Sequence, residues 1–369
     1  MNYLRLTIAL STGILLIAGC SNNDRTNADN SPTAAALEKT QDLTVPQSEA
    51  FANLTAARKL AWDAAVMVQH PPHPVDTWQQ ARVKWRQAIR LLETIPPGAP
   101  EAKQVQAKLT VYRINYAAIS DRLTAETKAT DALQNAQTLA WQAAVTVQKP
   151  PHALKTWQRA SSKWQEAIAI LDTIPATTSI APQSQAKLAI YRSNYTAINQ
   201  RIATETQALL TLKQFSAVAA KLSSLPDNIY LSNLTLEQIG VSYEDYTRLV
   251  QELQQAFDRF ASEPDAKNHV IYPVLAAAIE DYQTVLKLWK VYLDFKSANT
   301  QWLYDDVFNQ LVPISLPDVA TLVQKYDVKT YADGTKVSLR FTAWAIWQKA
   351  SQRVRQAQQK VLSLDNGEG

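Results

Sequence analysis

Glycine is scarce in this chain of 369 residues: 7 in all, against 10 Trp and 14 Tyr. A β-rich or loop-rich fold needs more turn residues than that, so the composition points to helices. Cysteine is scarcer still, and a single Cys excludes an intrachain disulfide framework. Neither sign of charge dominates. The 37 basic and 33 acidic residues leave +4, scattered along the chain, which is no electrostatic footprint for nucleic acid. Catalytic signatures are missing too: there is no GxSxG, HExxH, Walker loop or glycine-rich nucleotide fingerprint. Beyond the first twenty residues no stretch is long and apolar enough to span a bilayer. Apolar residues, by contrast, make up 46% of the chain, ample for the cores of two or three domains.

One stretch is written twice. LAWDAAVMVQHPPH at 60–73 matches LAWQAAVTVQKPPH at 139–152, and TWQQARVKWRQAIRLLETIP at 77–96 matches TWQRASSKWQEAIAILDTIP at 156–175. AKLTVYRINYAAISDRLTAET at 107–127 then matches AKLAIYRSNYTAINQRIATET at 186–206. Trp62 pairs with Trp141, Trp78 with Trp157 and Tyr116 with Tyr195, a gap-free offset of 79 (141 − 62). A self-match of this length specifies repeat architecture.

The only Cys, Cys20, follows one basic residue (Arg5) and the apolar run LTIALSTGILLIAG. That order reads as an export signal. Ile17-Ala18-Gly19-Cys20 resembles the lipobox of bacterial lipoproteins, which implies that Cys20 is lipidated and becomes the mature N-terminus. Ser21 after it resembles outer-membrane sorting in enterobacteria; the choice between inner and outer membrane stays open. Residues 21–50 are rich in Asn, Ser, Thr and Asp, too poor in large apolar groups to offset ordering entropy, and read as a disordered tether.

From Phe51 the period is helical. Leu54, Ala57, Ala61, Ala64 and Val68 share one helix face, ended by Pro71-Pro72. Thr77 with Gln80 reads as a capping box for the next helix, whose stripe is Trp78, Ala81, Trp85, Ile89 and Leu92. A third helix carries Leu109, Tyr112, Tyr116, Ile119 and Leu123. No Gly or Pro falls between Pro100 and Pro150, so this helix is predicted to run on into the first helix of the second copy. The same holds from Gln183 to Leu225. Shared helices predict a stiff, elongated object. This topology resembles spectrin-type three-helix repeats. The stripe WxxAIxLLxxIP followed by AxxKLxxYxxNY is similar to tetratricopeptide hairpins, and the wording AWQAAVxVQxPPH, KWQxAI and YRxNYxAI resembles repeats of cyanobacterial lipoproteins. None of these resemblances implies an activity.

In the last third, residues 226–242 break the rhythm and read as a docking loop. LTLEQIGVSYEDYTRLV resembles a helix-turn-helix superficially but lacks a basic face. Ser242 with Asp245 opens a helix to about Ser262. Pro273 sits near the start of another, and Ser315-Leu-Pro-Asp starts a short one ending near Lys325. VKTY (328–331), Asp333-Gly334 and KVSLRF (336–341) alternate with period two and read as a tight hairpin, either an ornament packed on the helices or, in the alternative, an edge that accepts a partner's strand. A helix from about Thr342 closes the chain.

The domains expected are a signal at 1–19, Cys20 and the tether to residue 50, repeat 1 at 51–130, repeat 2 at 131–209, and a C-terminal domain at 210–369. The fold class is all-α: two tandem three-helix repeat units sharing long connecting helices, then a mostly helical domain with one small β-hairpin near 328–341. The six repeated tryptophans (62, 78, 85, 141, 157, 164) are assigned to core packing, and His73 and His152 to the turn before a helix. Arg113, Asn115, Arg192 and Asn194 flank the tyrosine seam and are candidates for partner binding. Trp289, Tyr292, Trp302 and Trp344 are candidates for an aromatic cleft. No catalytic residue, cofactor site or metal site is assigned; His269 with Asp265, Glu280 and Asp281 is the nearest thing to an acid–base set. The reading that follows is a non-enzymatic, lipid-anchored, extracytoplasmic scaffold in the cell envelope. Its expected partners are the membrane through the anchor and an envelope protein, with no nucleic acid. The alternatives are a module binding a small ligand or envelope polymer in the aromatic cleft, and an envelope hydrolase.

Overall fold

The computed structural model describes residues 44–225, 234–298 and 310–366. The signal, Cys20, the tether up to residue 43 and Trp302 lie outside the described residues. Nine α-helices and one three-stranded sheet occur among the described residues, so the fold is all-α with a small β element.

Helices α1 (Thr44–Met67), α2 (Val75–Glu93) and α3 (Ala102–Thr146) are followed by α4 (Leu154–Asp172) and α5 (Ala181–Ser223). The two long helices, α3 with 45 residues and α5 with 43, run unbroken, as the missing Gly and Pro predicted. Two boundaries move. Residues 44–50 belong to α1 rather than to the tether, with Pro46 in the first turn, where its missing N–H costs nothing. Helix α2 starts at Val75 with Pro74 at the N-cap and no side-chain cap, so Thr77 lies inside the first turn and forms no capping box.

The chain divides into two compact units, residues up to Gln134 with Thr173–Gln185, and Asn135–Asp172 with the residues from Ala186 onward. In the first, Ala57, Ala61 and Ala64 of α1, with Val68 just past its end, pack against Trp78, Ala81, Trp85, Ala88 and Leu92 of α2 and against Leu109, Tyr112, Ile119 and Leu123 of α3. In the second, α4 buries the equivalent Trp157, Ala160, Trp164, Ala167 and Leu171.

A third repeat, invisible as a self-match, follows in the second unit. It consists of the C-terminal half of α5, α6 (Tyr243–Ala261) and α7 (Tyr272–Ala298). Helix α6 has 19 residues, as α2 and α4 do. Counted from each helix start, Tyr246, Leu253, Ala256 and Phe260 are buried where Trp78, Trp85, Ala88 and Leu92 are buried in the first repeat. Leu275, Ile279, Tyr282 and Trp289 of α7 likewise match Val105, Leu109, Tyr112 and Ile119 of α3, all buried. Ala208, Leu212 and Phe215 of α5 continue the stripe of Ala57, Ala61 and Ala64. The expected boundary at residue 210 therefore falls inside a repeat.

The described residues from Gln310 onward cover this third repeat. Helix α9 (Leu339–Asp365) packs along α7, and Trp347 Nε1 donates to Tyr246 Oη, which donates to the Tyr282 carbonyl, both at 2.9 Å. Between them lie β1 (Leu311–Pro313), α8 (Val319–Tyr326), β2 (Thr330–Tyr331) and β3 (Lys336–Ser338). The hairpin departs from expectation in three ways. Its connection is four residues, with Ala332, Asp333 and Gly334 all at positive φ. Its second strand stops at Ser338, and α9 begins there, so Leu339 to Phe341 are helical. Finally, β3 is central in the order β1-β3-β2, and its outer edge is taken by this chain's own β1.

Candidate functional site

The first two repeats turn from their first to their second helix through the same device. His73 Nε2 lies 2.7 Å from the Gln69 carbonyl while its own carbonyl accepts from Trp78 Nε1 at 2.9 Å. His152 repeats this with Gln148 and Trp157 at 2.9 and 3.2 Å. Both rings stand edge-on to their tryptophans at 5.6 and 5.5 Å. These histidines are turn residues, and no group of three His, Cys, Asp or Glu able to hold a metal occurs among the described residues.

The first two repeats are each locked to the next by a half-buried Arg paired with a buried Glu on the third helix. Glu126 is fully buried. Its Oε2 accepts from Ser179 N and Oγ, both at 2.9 Å, and its Oε1 faces Arg122 at 3.1 Å without hydrogen-bond alignment. Arg122 donates to the Thr177 carbonyl and lies 5.6 Å over the Trp78 ring. One repeat on, Arg201 pairs with Glu205 at 3.0 Å and lies 5.6 Å over Trp157. Glu205 receives His269 Nε2 at 2.8 Å, and Thr204 donates to the Pro264 carbonyl. The His269 Nδ1 accepts from Ile271 N, so the proton facing Glu205 sits on Nε2. The third repeat carries Tyr292 and Lys296 at these two positions. Glu126→Ala is expected to destabilise by about 1–2 kcal/mol, the cost of leaving the half-buried Ser179 donors and Arg122 without their shared acceptor. Glu126→Gln, which keeps an acceptor, loses less in urea unfolding.

His269 is thus committed to Glu205, not to the carboxylates near it in sequence. Asp265 caps a 3-10 turn (Ala266–Asn268) from the left-handed region, and Glu280 pairs with Lys325 at 2.5 Å, a contact that holds its carboxyl below the usual range. Asp281 accepts from Tyr326 Oη and Arg353 Nε. The structure does not assemble these four residues into one site.

The expected aromatic cleft is also corrected. Trp289 and Tyr292 are sealed in the core between α6, α7 and the chain that covers them, and Trp344 is half-buried on α9. Burial raises the phenol of Tyr292. An open pocket of about 260 Å³ does exist in this unit, between α7 and α8, floored by Leu288, Val291, Val319 and Leu322 with Lys287 and Lys325 at its rim.

The candidate partner residues fall on the outer edge of each third helix. Arg113 pairs with Glu93 at 2.8 Å and Arg192 with Asp172 at 3.0 Å, all four exposed, while Asn115 and Asn194 are half-buried. Beside these ion pairs stand exposed Val111 and Ile114 in one copy and Ile190 in the other. As exposed pairs, Arg113→Ala and Arg192→Ala are each expected to cost no more than about 1 kcal/mol by thermal unfolding.

Core packing fails for two of the six repeated tryptophans. Trp62 is 61% exposed and Trp141 67%, with Val66 and Val145 exposed one turn on. The signal was present in the sequence: Trp62 is one residue past Ala61 and therefore about 100° off the buried stripe. An open groove of about 290 Å³ is lined by Trp62, Asp63, Val66, Met67 and Lys84.

The fold and these surfaces define an all-α protein of tandem three-helix repeats. No protein-family model, curated protein or solved structure matches the chain.

Proposed function

We propose that this protein is a non-enzymatic scaffold, tethered to a bacterial membrane on its extracytoplasmic side through Cys20, which binds an envelope protein along the third helices of its repeats. The observation that carries this reading is the solvent-facing edge with Val111 and Ile114 beside Arg113, and Ile190 beside Arg192. Apolar side chains flanked by an Arg–carboxylate pair, repeated at the same place in two copies, are the kind of surface that packs against a partner and orients it. The lipobox-like Ile17–Cys20 and the polar segment behind it supply the tether.

The test is affinity capture from cross-linked native membranes, comparing the unaltered chain with Val111→Asp and Ile190→Asp. Both sites are exposed, so the variants keep the fold. The reading requires that specific envelope proteins captured by the unaltered chain disappear with the variants. Identical capture in all three samples removes this edge as the docking surface and the scaffold reading with it.

A further inference from the structure

The two exposed tryptophans share an environment that the rest of the molecule does not need for folding. Trp62 lies beside Val66 and the half-buried Lys84, which is 3.7 Å from Asp63; Trp141 lies beside Val145, and Lys163 Nζ donates to Gln142 Oε1 at 2.5 Å. Other outward positions on this face differ between the copies: Lys59 is Thr138, Asp63 is Gln142, Met67 is Thr146 and Val83 is Ser162. Trp, Val and Lys recur. The third repeat is an internal control. Its register places Lys213, Ala217 and Glu252 where the first has Trp62, Val66 and Lys84, and its core is intact without them. The trio is therefore dispensable for the repeat fold, and its recurrence in the first two copies needs another cause.

We infer that Trp62–Val66 with Lys84, and Trp141–Val145 with Lys163, are two lipid-contact patches, each seating its own unit on an anionic bilayer surface. This rests on the reading of Cys20 as a lipid anchor. The chemistry fits an interface. Indole combines an apolar body with one polar N–H and partitions to the headgroup boundary, and a basic side chain is attracted to an anionic leaflet. The groove at Trp62 is open, and both rings are largely exposed rather than recessed; a protein partner's anchor residue needs a pocket to fill. Reach favours lipid as well. From Ser21 to Thr44, where α1 begins, there are twenty-four residues, which on the sequence reading of a tether reach about 27 Å. Trp62 lies another 27 Å or so along α1. A lipidated Cys20 thus holds the first patch within tens of ångströms of the bilayer, so that a weak contact becomes an intramolecular one.

The test uses the full-length protein in bacterial membranes doped with a phosphatidylglycerol whose acyl chain carries a diazirine. After illumination, adducts are mapped by peptide mass spectrometry. Expected are lipid adducts on the peptides containing Trp62 and Trp141 and none around Lys213. Trp62→Ser should lower the adducts at its own site at least fivefold while leaving those at Trp141 and the melting curve unchanged. Lys84→Glu, which copies the third repeat, should lower them in the same way. The Cys20 peptide from the same digest reports acylation. Acylated Cys20 without adducts at either tryptophan overturns the lipid patches and leaves the tether standing. An unmodified Cys20 overturns both. Protein adducts at Trp62 and Trp141 in place of lipid assign the patches to a protein partner and overturn the inference.

Discussion

Asp281→Ala is expected to cost about 3–5 kcal/mol, the penalty of stripping one partner from a buried ion pair. Asp281 is 1% exposed on α7; one carboxylate oxygen accepts from Tyr326 Oη on α8 at 2.8 Å and the other from Arg353 Nε on α9 at 2.7 Å. A single carboxylate thus joins three helices. Alanine leaves a partly buried guanidinium and a half-buried phenol without their shared acceptor. Asp281→Asn preserves the shape and an acceptor but not the charge, and should fall between alanine and the unaltered chain. In urea unfolding the loss appears as a lower midpoint with the slope retained. It belongs to the transition of the unit containing residues from Ala186 onward, and the transition of the first unit stays in place. A loss under about 1 kcal/mol means that α8 and α9 are held to α7 by apolar packing alone.

What could be read from the sequence was periodic, and what could not was long-range. The stripe Leu54, Ala57, Ala61, Ala64 and Val68 was legible because helix geometry alone places those residues on one face, and all five are buried. The long helices were legible because nothing in 101–149 interrupts hydrogen bonding. The third repeat was hidden because it keeps the burial pattern while changing the residues: Tyr246, Leu253 and Phe260 stand for Trp78, Trp85 and Leu92. Packing specifies an apolar group of the right volume at a position, not its identity. The cleft around Trp289 was misread for a related reason. Helix α7 is covered by both α6 and α9, and a helix buried on several sides carries aromatic residues that mark no opening. The partners of His269 and Glu126 were beyond reach altogether: Glu205 is 64 residues from His269, and Ser179 is 53 from Glu126. The strand β1, three residues long, has too few positions to show a period of two.

Trp85→Ala and Trp164→Ala are each expected to cost about 3–5 kcal/mol, the range for deleting a buried indole whose surroundings relax only in part. Both rings meet a tyrosine of the third helix edge-on, Trp85 with Tyr112 and Trp164 with Tyr191, each at 5.1 Å. They are the largest side chains at the centre of their repeats, where Ala81, Ala88, Ala160 and Ala167 let the helices approach. The third repeat shows how much of this is volume. There Leu253 stands at the equivalent position, buried in the same core as Tyr282, so a branched aliphatic group can fill it. Trp85→Leu should therefore cost clearly less than Trp85→Ala. Trp85→Phe should be milder still, because the Trp85 indole N–H is buried without an acceptor among the described residues and phenylalanine removes that unpaired donor. Trp164 lies in the second unit, so its alanine variant should shift the second transition and Trp85→Ala the first. Chemical denaturation of the five proteins, including the unaltered chain, orders them directly. If Trp85→Leu proves as damaging as alanine, the indole contributes through its edge-on contact with Tyr112 and not through volume, and the equivalence of Leu253 with Trp85 is lost.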